Sequence, residues 1–181
     1  MRNSFLFVVI ICAISYSCSS RKLAKTSAQQ NESIRKDINA KNDISITEND
    51  LRKKNVSLVI NKAITYIDVS YKYGGESYYG IDCSGLIRKS LQAVGLYMYR
   101  DLTSSDFFNE EGEIIYSLKM LHRGDLVFFV ENGGRMNHLA LVINIHPDII
   151  IIHSTLKGVR YTNLTNNYYW RSKFLQGKRI L

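Results

Sequence analysis

Between Leu126 and Thr155 the chain holds three apolar, β-branched runs, LVFFV, HLALVINI and IIIIHST, parted by turn formers. Asn132-Gly133-Gly134 and Pro147-Asp148 supply the breaks, so the runs predict consecutive strands of an antiparallel meander. A last strand, KRIL, closes the chain. Upstream the period changes. Ile60, Ala63, Ile64 and Ile67 recur at helical spacing and predict a helix ending near Val69. A second helix is predicted from Cys83 to Val94, with Asp82 as N-cap and Gly95 as its stop. Between the two, YKYGGESYYGID reads as a loop whose paired glycines take backbone shapes other residues resist. Thr103 or Ser104 caps a short third helix. Helices first and strands second make an α+β fold, with a helix packed on an antiparallel sheet.

The strands and helices occupy residues 50–181, and the chain before them has a different character. Arg2 precedes an apolar run from Phe5 to Ile14, too short to span a bilayer but suited to a signal-peptide core over residues 1–17. Two processing chemistries fit. Ser15 and Ser17 are small residues where a signal peptidase cleaves. Cys18, directly after Ser17, also resembles the lipobox of bacterial lipoproteins, although Ser15 stands where that motif usually has Leu. Lipidated Cys18 would hold the protein at a membrane of the cell envelope, facing the periplasm, because several acyl chains anchor where one does not. Residues 18–49 are polar, contain no aromatic residue and read as a flexible tether.

A net charge of +8 favours anionic surroundings such as a wall polymer or a phospholipid surface. The basic residues are scattered, with no nucleic-acid-binding motif among them, so nucleic acid is not an expected partner. Of three cysteines, Cys12 leaves with the signal and Cys18 is capped by lipid. Cys83 then has no disulfide partner in a compartment that favours disulfides, which marks it as buried or chemically employed.

Placed in the first turn of its helix, Cys83 meets exposed N–H groups and the positive end of the helix dipole. Thiols so placed can have a pKa of roughly 3.5 to 7.5. His138 and His153 fall on two consecutive predicted strands. A hairpin loop centred between Ile145 and His146 puts them directly opposite one another on one face, where the helix bearing Cys83 can pack. Thiol, imidazole and an orienting group form the nucleophile–base–orienter arrangement of cysteine hydrolases. Two histidines can also bind a metal, but no third ligand besides Cys83 is evident, so no metal and no cofactor is expected. His122 and His146 read as solvated loop residues.

Tyr71-Lys72-Tyr73-Gly74-Gly75 followed by Gly80-Ile81-Asp82-Cys83-Ser84-Gly85 resembles the nucleophile motif of the NlpC-type peptidoglycan endopeptidases. Leu102 to Ser105, Arg123 to Phe129, His138 to Val142, Ile152 to Ser154, and Tyr169-Trp170 with Lys178 to Leu181 are similar to later segments of that family in the same order. The likeness is greatest to its short lipoprotein members. It implies a papain-like fold with five or six antiparallel strands. It implies Cys83 as nucleophile, His138 as general base and His153 as the residue orienting it. By the same resemblance Tyr71 lies near the oxyanion, while Asp82 and Ser84 match positions beside the substrate groove. Ala140 departs from the family, which commonly has glycine there. The implied substrate is an amide bond of peptidoglycan, within a stem peptide or at a crosslink such as D-Ala–diaminopimelate. A silent wall-binding member and a peptidase of other amides or acyl esters are the alternatives.

Overall fold

Strands that are apolar at nearly every position need cover on both faces, and that demand organises this chain. The computed structural model describes residues 30, 32–38, 41, 47–98, 112–131 and 135–181. Residues 1–17, Cys18, the Thr103/Ser104 cap and the Asn132–Gly134 turn lie outside the described residues. The chain divides into two units, Met1–Asp50 and Leu51–Leu181. In the first, residues 32–38 are helical and exposed, with Lys36 and Glu32 paired at 3.2 Å one turn apart. Such a pair adds only a few tenths of a kcal/mol, about 0.3–0.5, to an exposed helix.

In the second unit, helix α1 fills residues 51–64 and a short hairpin of β1 (Glu76–Ser77) and β2 (Gly80–Ile81) follows. Helix α2 spans Cys83–Leu91 and tightens into a 3₁₀ turn over Gln92–Val94, which Gly95 ends at φ 75°. Then come β3 (Glu113–Ile115), β4 (Leu126–Glu131), β5 (Arg135–Asn144), β6 (Ile150–Thr155), β7 (Gly158–Asn163), α3 (Tyr168–Ser172) and β8 (Phe174–Arg179). The six longer strands form one antiparallel sheet in the order β3-β8-β4-β5-β6-β7. The expected α+β architecture, a helix on a sheet of five to six antiparallel strands, is present.

Alternation along the strands sorts the core into two clusters. Leu126, Phe128, Leu139, Leu141 and Ile152 meet Val59, Ile60 and Ala63 of α1 and Leu86, Ile87 and Leu91 of α2. Val127, Phe129, Ala140, Val142 and Ile151 face the other way, where Ile115, Leu121, Leu164 and Trp170 cover them. The continuous apolar runs are therefore the signature of a sheet buried on both sides. Tyr78 of the β1–β2 turn stacks on Tyr66 at 4.4 Å, which holds the hairpin to the end of α1.

The sheet's far edge is tied by charge. Asp125, 1% exposed, accepts from Arg179 Nε and Nη2 at 3.0 Å each and from the His122 N–H at 2.6 Å. Arg179 also reaches Glu113, so one guanidinium links β3, β4 and β8. Removing one partner of a buried pair leaves the other charge without compensation. Arg179→Met should therefore lower the unfolding free energy by about 3 kcal/mol. The expected sign is a fall in urea midpoint at constant m-value; an unmoved midpoint would show that Asp125 is compensated by other groups.

Candidate active site

The loop before α2 is shaped by one carboxylate. Asp82 caps the helix by accepting from the Gly85 N–H at 2.7 Å, and the same oxygen accepts from Ser84 Oγ at 2.8 Å. Its other oxygen accepts from the Gly74 N–H at 2.7 Å. Gly74 turns with φ 68°, a conformation that costs glycine little. Gly85 has a different reason to be glycine: a Cβ there would overlap the carbonyl oxygen of Gly75. Asp82 and Ser84 are thus buried behind Cys83, fixing the loop to the helix, and do not line the cavity in front of it.

That cavity, of about 680 Å³, brings together Tyr71, Cys83, His138 and His153. His138 Nε2 lies 2.9 Å from His153 Nδ1, and His153 Nε2 lies 2.8 Å from Thr162 Oγ1. The chain of contacts engages His138 through Nε2, and Nδ1 lies on the other side of its ring. His122 and His146, as expected, are exposed loop residues.

Two details of the expected hairpin are corrected. The ladder runs from Asn144↔Ile150 to Leu141↔Ile152. Continued at that register it would set His138 against Thr155 and His153 against Ala140, so the imidazoles are diagonal neighbours rather than directly opposed. The error is two residues, which preserves the face because side chains alternate with period two. A bulge at Ile143, next to the cis His146–Pro147 turn, moves the centre of the loop.

The second correction concerns that face. The imidazoles share the side of Phe129, Ala140 and Trp170, whereas α2 packs against Leu139, Leu141 and Ile152. The helix body therefore lies across the sheet from the two rings. Only its tip reaches them, because among the described residues the β5–β6 ladder ends at Leu141–Ile152. The N–H and C=O of Val142 bond on the β4 side, to Asp125 and Gly124, so the odd-numbered N–H groups of β5 point towards β6. There the Leu139 N–H faces Cys83 and favours the ionised form of its thiol.

The thiol itself departs from the helix-tip expectation. Burial pushes the Cys83 pKa up to about 11, against the opposing effect of the Leu139, Ser84 and Cys83 N–H groups. Nearby Asp82 adds to the rise. Three donors and a helix dipole favour the thiolate, but desolvating an anion outweighs them. His153 goes the other way. Burial first, then the charges of His138 and Arg160, lower it to about 3, so it stays neutral across physiological pH. Burial and the charge of Cys83 likewise raise Tyr71, which keeps its phenol protonated and able to donate.

A resting thiol beside a neutral relay is the arrangement these geometries make. The sequence matches the NlpC/P60 family over residues 68–179. The chain belongs to the NlpC/P60 family. It is similar to the probable peptidoglycan endopeptidase LytE of Bacillus subtilis, 30% identical over 128 residues, which cover 70% of this chain and 35% of LytE. It thus spans about a third of that relative. It is 29% identical over 137 residues to the murein DD-endopeptidase MepS/murein LD-carboxypeptidase of Escherichia coli K12, covering 74% and 68% of the two chains. An NlpC/P60 family crystal structure from Bacillus cereus superposes with TM-score 0.59 at 25% identity, covering 70% of this chain and 40% of that one.

Two members of this NlpC/P60 site were not assigned from sequence. Thr162 bonds His153 from β7, a strand whose polar, exposed face hid it from apolar-run reasoning. Trp170 was matched to the family without a role. It stacks on His138 at 4.6 Å and 27°, and meets His153 edge-on at 4.8 Å. Asn167 caps the short α3 helix that carries it, an Asn-x-x-Trp signal visible in the chain. In the substrate-free protein, alkylation of Cys83 by iodoacetamide should still be accelerating above pH 9, since the raised pKa withholds thiolate below it. A rate that levels off below pH 7 would instead reveal a preformed thiolate–imidazolium pair.

Proposed function

We propose that this NlpC/P60 protein is an exported cysteine peptidase that hydrolyses an amide bond of peptidoglycan, in the stem peptide or at the D-Ala–diaminopimelate crosslink. The relatives named as peptidoglycan endopeptidases support the substrate class. The observation that carries the chemistry is the unbroken chain Thr162–His153–His138 ending at the cavity that holds Cys83. Lipidation of Cys18, with residues 18–49 as tether, would keep the enzyme at the envelope and within reach of the wall.

The proton route follows from the bonds. For His138 to accept at Nδ1, its Nε2–H must donate to His153 Nδ1, and the His153 Nε2–H then donates to Thr162 Oγ1. The thiol proton of Cys83 passes to His138 as sulfur attacks the carbonyl carbon and the carbonyl π electrons move onto oxygen. The Tyr71 hydroxyl and the Cys83 N–H are suited to hold that oxyanion. Imidazolium His138, stacked on the Trp170 face and therefore aided by cation–π attraction, protonates the leaving amine as the C–N bond breaks. Water, with His138 as base, then attacks the thioester and releases the acid. A neutral His153 assists throughout, because a second cation beside imidazolium His138 would oppose the transfer.

Cys83→Ala should abolish hydrolysis while leaving thermal unfolding in place, with cleavage of purified muropeptides read by mass spectrometry. Retained cleavage by this variant would overturn the assignment. A wall-binding, silent protein would give intact muropeptides with the unmodified chain as well. Thr162→Val should cut kcat about tenfold at unchanged KM by releasing the tautomer, and Thr162→Ser should restore it. Equal rates in both variants would remove Thr162 from the relay.

A further inference from the structure

The floor of the cavity is the relay, but one wall has a different chemistry. Lys157, in the β6–β7 turn, and Arg160, on β7, both line it, and among the described residues no carboxylate does. Arg160 is the cross-strand partner of His153, so its side chain rises from the same face as the imidazole and Thr162. Elsewhere in this unit, guanidinium groups have partners. Arg88 pairs with Glu76, Arg179 with Asp125 and Glu113, and Arg52, Arg123 and Arg171 bond backbone carbonyls. The Arg160 guanidinium has no hydrogen bond or ion pair among the described residues, and neither has the Lys157 ammonium. Both are exposed to solvent at the mouth. Two cations at the mouth of a cavity whose described lining holds no carboxylate make a field that attracts a negatively charged ligand.

The position says which part of the substrate carries that charge. His138 must deliver its proton to the leaving nitrogen, so the amine half of the scissile bond lies on the imidazole side of the sulfur. Arg160, across from His153, borders that half. We propose that Arg160, assisted by Lys157, is a subsite for a free carboxylate on the residue that supplies the leaving amine. This inference rests on the hydrolytic reading of Cys83 and selects among its substrates. An amide made on the second amine of a diamino dicarboxylic acid such as diaminopimelate keeps a carboxylate on the carbon bearing the leaving nitrogen. In an amide within a continuing stem, that carboxyl is already bonded to the next residue. The subsite therefore favours the crosslink. A planar guanidinium suits it, since two parallel N–H groups match the two oxygens of a carboxylate.

The test uses the full chain carrying Cys83→Ala, with calorimetric titration of D-alanyl-diaminopimelate bearing the amine-side carboxyl either free or as its primary amide. The acid should bind about tenfold more tightly than the amide, the effect expected of a charge-assisted hydrogen bond. Added Arg160→Gln should erase that preference without changing thermal unfolding, and salt should weaken only the acid. Equal binding of acid and amide, or equal weakening of both by Arg160→Gln, would overturn the subsite. Hydrolysis by the chain with Cys83 intact separates the two readings. If both compounds are cut with the same KM, the peptidase stands and the subsite falls. If neither is cut while the Cys83→Ala chain still prefers the acid, the subsite stands and the peptidase falls.

Discussion

The parting of β5 from β6 beyond Leu141–Ile152 is the constraint on which the site depends. A buried N–H needs a partner, and a strand that loses its neighbour must find another. On β5 the odd-numbered groups face the gap, and the Leu139 N–H acts on the thiol of Cys83. The tip of α2 thus lies beside β5 where β6 has left it. Ser154 Oγ bonds the Ile81 carbonyl at 2.7 Å and fixes β6 to the loop entering the helix. The two histidines bridge the same gap from the opposite face, 2.9 Å apart. Packing of α2 on one side and of Trp170 on the other thus converge on one opening.

That opening is dry enough to decide the charges. His153 is completely buried, so its ionised form is disfavoured unless a partner compensates. The thiol is held above its ordinary range and His153 below its own, both chiefly by burial. A helix tip alone would have suggested a thiolate; its dipole and three N–H donors are real but smaller than the desolvation they oppose. On the proposed reading, one proton would move from sulfur to imidazole during attack, and charge would appear where Tyr71, the Cys83 N–H and the Trp170 ring can meet it.

The contrast between what could and could not be read from the chain has a physical basis. Strands β4, β5 and β6 were legible because burial on both faces makes most of their residues apolar, whereas β8 lies at Phe174–Arg179, upstream of the expected KRIL and sharing only Lys178 and Arg179 with it, because its polar FLQGKR sequence does not read as an apolar run. Strand β7 and the three-residue β3 were not, since exposed edge positions carry polar residues such as Arg160, Tyr161 and Thr162. Asp82 and Gly95 were legible as cap and stop because each acts on its own backbone neighbourhood. Cys83, His138 and His153 were found by chemistry and spacing, and a two-residue error in register left their shared face unchanged. Thr162 and Trp170 depend on which strand and which short helix come to lie beside the imidazoles. Such contacts are set by tertiary packing, so no local pattern announces them.

Arg160 connects the wall of the cavity to its floor. Its charge is one of the influences that depress His153, after burial and His138. In the empty cavity it therefore opposes any positive charge on the relay. A substrate carboxylate seated on the guanidinium would cancel much of that field at short range, since an ion pair acts on a third charge only as a dipole. With the correct amide in place, the guanidinium would then oppose less any positive charge that develops beside His153 during proton transfer. Recognition and activation would share a single charge, which ties selection of the crosslink to the timing of proton transfer.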